Sequence, residues 1–166
     1  MPYIIKTMTD LAGYLSTAFQ AFNQHSFHGL LPEVIISFES GKRKHAYGWF
    51  YTVKAWAVDG GAKYGIVIAS DHLDRPIEQI CGTLLHEMCH LYAQENDIQD
   101  TSRSGSYHNA RFREIAEQAG LACTFHQKDG WASTEPDPVM LQWIREHLPQ
   151  AECKLVFSLR EMLSDP

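Results

Sequence analysis

Residues 77–95 read IEQICGTLLHEMCHLYAQE, and this stretch constrains the fold more than any other. Ile77, Ile80, Cys81, Leu84, Met88 and Leu91 recur at three- and four-residue steps, the period of a helix with a buried face. Pro76 stands at its start, where a missing amide hydrogen leaves no helical bond unmade, and the pattern runs to about Asn96. Into this apolar run the chain inserts His86, Glu87 and His90. Burying two imidazoles and a carboxylate is costly unless each finds a partner.

Helical geometry suggests the partner. Residues four apart lie about 40° apart around a helix axis and one turn apart along it. His86 and His90 therefore project side by side and can share one metal ion at roughly 2.0–2.1 Å, the usual zinc–imidazole distance. Glu87 is rotated away from that ion, near enough to hold a water beside it and too far to ligate well. The His-Glu-x-x-His spacing follows from this: neutral imidazoles keep a zinc ion Lewis acidic, and the carboxylate takes the water's proton. The spacing alone would arise by chance in about 3 of 100 chains of this histidine and glutamate content, so its mid-helix setting carries the weight.

A catalytic zinc normally takes three protein ligands and leaves a fourth position for water. A metzincin would have glycine at 93 and histidine at 96, where this chain has Ala93 and Asn96. A gluzincin would draw a glutamate from the following helix, and Glu114 and Glu117 are available. The third candidate is His108, at the start of a predicted helix over roughly 108–119 that ends at Gly120. Its apolar stripe is Phe112, Ile115, Ala116 and Ala119, and His108 lies in line with that stripe. Glu114 and Glu117 fall outside it with Arg111, Arg113 and Gln118. If the stripe packs on the first helix, His108 faces the metal and the glutamates face water.

Elsewhere Thr9 or Asp10 can cap a helix with apolar positions Leu11, Leu15, Ala18, Phe19 and Phe22, fading at 23–29. Residues 33–39 read as a strand after Pro32. Residues 46–58 and 64–70 are rich in aromatic and β-branched residues, and Asp59-Gly60-Gly61 between them is a hairpin signal. DIQDTSRSGSY (97–107) reads as a loop, GWASTEPDP (130–138) as turn-rich, and a further helix is expected near 138–147. Helix, then strands, then helices gives an α+β fold with a small, mostly antiparallel or mixed sheet. At 166 residues we expect one domain, 1–166, able to bury its core without disulfides. Cys81, Cys89, Cys123 and Cys153 contain no CxxC pair, which suits reduced thiols.

MPYIIKTMTDLAGYL is broken by Lys6 and Asp10, so we expect no signal peptide or membrane span and a cytoplasmic location. The net charge of −6 does not favour many phosphate contacts. The basic clusters are small: Lys42-Arg43-Lys44, then Arg103, Arg111 and Arg113. DNA is retained as a partner that the charge does not support.

HEMCH, a polar loop and then YHNARFREIAEQAGL together resemble the SprT-like zinc metallopeptidase domain. FNQHSFHGLLPEVIISFE resembles the opening helix and first strand of that family, and Gly48 with its aromatic neighbours resembles the next hairpin. The resemblance covers roughly 8–121, leaving 122–166 as a C-terminal extension packing on it. It implies a zincin-like fold, one Zn2+ held by His86, His90 and His108 (the last on the helix after the HExxH helix), and hydrolysis of a protein or peptide substrate with Glu87 as general base. Three features depart from the family: residues 1–166 hold no zinc ribbon with two CxxC pairs, Tyr107-His108-Asn109 stands where GHG is usual, and the loop after His90 is longer than in the DNA-repair members. The alternatives are a SprT-like module that binds protein or DNA with little turnover, and another kind of zinc hydrolase.

Tyr107, Tyr64 and His45 are candidates for a transition-state donor, each more simply read as a packing or surface residue. Cys123, His126, His147 and Cys153 sketch an irregular second metal set. Trp131 is expected to plug an apolar gap, and Cys81 and Cys89 to pack in the core. His25 and His28 finish a helix and a turn. Substrate peptides often add to an exposed strand edge, and the 64–70 strand is the one expected to offer it.

Overall fold

The computed structural model describes residues 1–40 and 46–157. Lys42, Arg43, Lys44 and His45 lie outside the described residues. The chain opens with strand β1 (Tyr3–Ile5) and helix α1 (Met8–Phe27). Thr7, rather than Thr9 or Asp10, caps α1. Its hydroxyl accepts from the Asp10 amide at 3.0 Å, and Asp10 accepts from the Thr7 amide at 3.1 Å, a reciprocal capping box. The helix ends where His28 turns left-handed, and buried Asn23 holds the exit by bonding both main-chain groups of Leu31.

Strands β2 (Val34–Glu39), β3 (Gly48–Phe50), β4 (Trp56–Val58) and β5 (Gly61–Ala69) form one mixed sheet. β5 is its centre: β2 pairs with it in parallel, and β3 and β4 pair with it antiparallel on the other side. The 64–70 segment therefore has neighbours on both sides and is not an edge, contrary to expectation. Its length and nearly continuous apolar character suit a strand covered on both flanks. The Asp59-Gly60 turn closes β4 onto β5 as the sequence predicts, with φ of 47° and 77°.

Helix α2 (Ile77–Glu95) lies in the core, with Ile80, Cys81, Leu84, Leu85, Met88, Cys89 and Leu91 fully buried. The segment expected as a plain loop instead forms a small hairpin, β6 (Thr101–Ser102) and β7 (Tyr107–His108), turning through left-handed Arg103, Ser104 and Gly105. Helix α3 (Ala110–Ala119) follows, capped by Asn109, whose side chain accepts from the Arg111 and Phe112 amides. His108 thus sits in the strand ahead of α3, not on the helix as expected.

The stretch read as turn-rich is strand β9 (Gly130–Pro136), antiparallel to β8 (Leu121–His126). Its Gly, Ser and Pro residues fall at the ends and open faces of the strand, where sequence pattern does not separate turn from strand. Helix α4 (Pro138–His147), capped by Asp137, matches expectation, and β10 (Ala151–Cys153) returns to pair in parallel with β1. The result is a mixed α+β architecture of four helices and small sheets among the described residues, with core residues drawn from all four helices and from β5. No described helix is long and apolar enough to cross a membrane.

Candidate metal centre

His86 and His90 stand one turn apart on α2, and β7 brings His108 against them. The ligand-capable atoms of the three rings all lie within 4.8 Å of one another. His90 Nε2 is 3.3 Å from His86 Nε2 and 3.0 Å from His108 Nε2. A tetrahedral zinc ion holding nitrogens at 2.0–2.1 Å separates them by about 3.3 Å. The spacing of the nitrogens therefore fits such an ion.

The far sides of two rings are engaged. His90 Nδ1 lies 2.6 Å from Asp100 Oδ2, and a carboxylate can only accept, so this nitrogen carries the hydrogen. His86 Nδ1 lies 2.8 Å from Thr134 Oγ1. With Nδ1–H used outward, His90 Nε2 presents a lone pair inward, while the Thr134 hydroxyl, able to donate or accept, holds the His86 ring without fixing its tautomer. That lone pair faces the Nε2 atoms of both other rings, where a proton or a metal ion would satisfy it. The electrostatics agree. Burial, reinforced by His90 and His108, holds His86 well below the usual imidazole range. Burial and His90 push His108 down to about 4. For His90 burial also acts downward, but the hydrogen bond to Asp100 and the charges of Glu87 and Asp100 outweigh it and raise its pKa. The three rings together could hold one metal ion.

Phe112 forms the floor. Its fully buried ring lies with centroid separations of 4.8 Å from His86, 4.8 Å from His90 and 4.6 Å from His108. The apolar stripe of α3 therefore packs on α2 as the sequence predicts. The stripe brings Phe112 to the site, while His108 reaches it from an extended strand through its main chain. The His108 amide donates to Asp129 O at 3.0 Å, and His108 pairs with Thr101 on one side and Gly130 on the other. Gly130 has φ of 67°, and a Cβ there would run into the His108 carbonyl oxygen, so only glycine seats this strand.

Glu87 is 4% exposed, and its Oε1 lies 3.9 Å from His86 Nε2. Beside it runs β3, at the end of the sheet order. A Cβ on Gly48 would lie 2.7 Å from Val67 O, 3.0 Å from Thr83 Cγ2 and 3.6 Å from Glu87 Cγ. Tyr47 O and the Tyr51 amide bond to β5, so by the alternation of an antiparallel ladder the main-chain groups of Gly48 and Phe50 point away from it, toward the outer edge.

The other candidates fall elsewhere. Glu114 and Glu117 face solvent, and Glu117 pairs with Arg113 at 2.9 Å. Tyr64 is in the core against Phe50, and Tyr107 lies under the Arg103 guanidinium. Among the described residues Cys123, His126, His147 and Cys153 form no metal-capable group. His147 instead stacks on Trp143, as does His25. Trp131 packs against Phe125 with Arg113 over its ring, and Cys81 and Cys89 are buried as expected. Asp100, Thr134 and Gly130 carry no sequence signal for their roles: one sits in a polar loop, the others in a segment that reads as turns.

A family model described as the SprT-like family matches residues 15–130. No curated protein matches the chain.

Proposed function

The chain belongs to the SprT-like family, and from that premise we propose that it is a zinc-dependent metalloprotease with a zincin-like site, acting as a single domain. His86, His90 and His108 would hold one Zn2+. The observation that carries this reading is the convergence of three imidazoles, His90 Nε2 lying 3.3 and 3.0 Å from those of His86 and His108, with the buried carboxylate of Glu87 alongside. Bound there, zinc would supply Lewis acidity, lowering the pKa of water and polarising a carbonyl. Glu87 is the general base: it holds the attacking water, removes its proton and returns a proton to the leaving amine as the peptide bond breaks. Its burial keeps that carboxylate out of bulk solvent.

The substrate is a polypeptide in extended form, added along the outer edge of β3, where the main-chain groups of Gly48 and Phe50 are directed. Exposed Tyr47 and Tyr51 flank β3 at its two ends and suit apolar side chains. A net charge of −6 makes protein a better fit than DNA as partner.

The test compares wild type with Glu87→Gln for zinc content and for cleavage of casein, with and without DNA. Zinc in both proteins and cleavage only by wild type is expected. Bound zinc with no cleavage under any condition would favour a binding module, and protein that takes up no metal would refute the reading.

A further inference from the structure

The α2 face that carries His86 also carries Gly82, one turn earlier. A Cβ on Gly82 would lie 2.7 Å from Pro136 Cδ and 2.9 Å from its Cγ, so the bare glycine lets β9 lie directly on the helix. That close approach brings Thr134, two residues before Pro136, to 2.8 Å from His86 Nδ1. At its other end β9 seats His108 through Gly130. Across the cluster, Asp100 reaches His90 Nδ1 at 2.6 Å while its own carbonyl accepts from the Asn109 amide, one residue past His108. Both side chains act on histidine nitrogens that face away from the centre, and Thr134 lies beyond the span matched by the family model, which ends at 130.

We propose that Asp100 and Thr134 are positioning residues, Asp100 fixing the tautomer and ring orientation of His90 and Thr134 the ring orientation of His86, so that β9 and the loop after α2 set the metal affinity of the centre. The two differ in strength. Asp100 forms a short, charge-assisted bond, and its side chain is 13% exposed. Thr134 offers a neutral hydroxyl. Removing such partners typically weakens metal binding 10- to 100-fold, and Asp100 belongs at the upper end of that range.

This rests on the metal-centre reading, and the experiment separates the two. Wild type, Asp100→Asn, Thr134→Val and Thr134→Ser are titrated with zinc against a chromogenic chelator, and the visible absorption of each cobalt(II)-loaded protein is recorded. Thermal unfolding of the metal-free proteins checks that all four are folded. Asp100→Asn is expected to weaken zinc binding by up to about 100-fold and to alter the cobalt spectrum, with Thr134→Val weaker by about 10-fold. Thr134→Ser, which keeps the hydroxyl, restores the wild-type spectrum. Wild type that binds neither metal would sink the metal-centre reading itself. Folded variants with wild-type affinity and spectra would overturn only the positioning role, as would failure of Thr134→Ser to restore what Thr134→Val loses.

Discussion

Phe112→Ala tests the site and the core at once. The ring is fully buried, and it lies under all three histidines at 4.6–4.8 Å between centroids. Truncating a buried phenylalanine to alanine costs about 3–5 kcal/mol, the transfer term plus the cavity left behind. For a chain of this size that is a fall in Tm of roughly 6–20 °C. A second effect rides on the metal. A ligand at 1,000 times its Kd stabilises a folded protein by about 4 kcal/mol, and each tenfold loss of affinity removes about 1.4 kcal/mol of that. With the floor gone the imidazoles gain freedom to turn, so the stabilisation by zinc should shrink as well. The assay is urea unfolding of wild type, Phe112→Ala and Phe112→Leu, each with zinc and with chelator. Phe112→Leu keeps most of the volume without the flat ring, so it should recover much of the metal-free stability and less of the zinc increment. A metal-free loss below about 1.5 kcal/mol for Phe112→Ala would refute the packing argument. An unchanged zinc increment would show that the ring does not hold the histidines.

Gly48→Ala should destabilise by about 1–3 kcal/mol, because its Cβ meets Val67 O at 2.7 Å and the Thr83 methyl at 3.0 Å with no slack on β3; equilibrium unfolding measures it, and a neutral result would remove the close approach of β3 to α2. Asn109→Ala should lose about 1–2 kcal/mol by the same method, since the side chain caps two α3 amides and also donates to Gln99 O and Ser102 Oγ. Burial, with the Glu117 charge, pushes the Cys123 thiol up to about 11. At pH 8 about one molecule in a thousand then carries its thiolate, against roughly one in four for a free cysteine. The greater nucleophilicity of a high-pKa thiolate offsets part of this, so alkylation read by peptide mapping should be slower by roughly tenfold or more in native than in urea-unfolded protein. Comparable rates in the two states would contradict the burial of β8 against α3.

What the sequence could reveal followed from how each residue reaches the site. His86, Glu87 and His90 share one helix, where spacing alone fixes their relation, and their apolar surroundings mark that helix as buried. Phe112 was legible for the same reason, as part of a stripe of period 3.6. His108 lies in line with that stripe in the sequence, yet it stands in an extended strand outside the helix. Its direction comes from main-chain pairing with Thr101 and Gly130, and such pairing between segments 7 to 22 residues away leaves no periodic trace. The two-residue strands β6 and β7 are too short for alternation to appear at all. β5 shows the converse. Its apolar run marks a strand, but the exposed edge expected of it does not follow, because a strand bare along one side would be expected to carry charge or proline there. Gly48, without a side chain, belongs to the strand that does lie at the edge, and the space it leaves is what lets that edge approach Glu87.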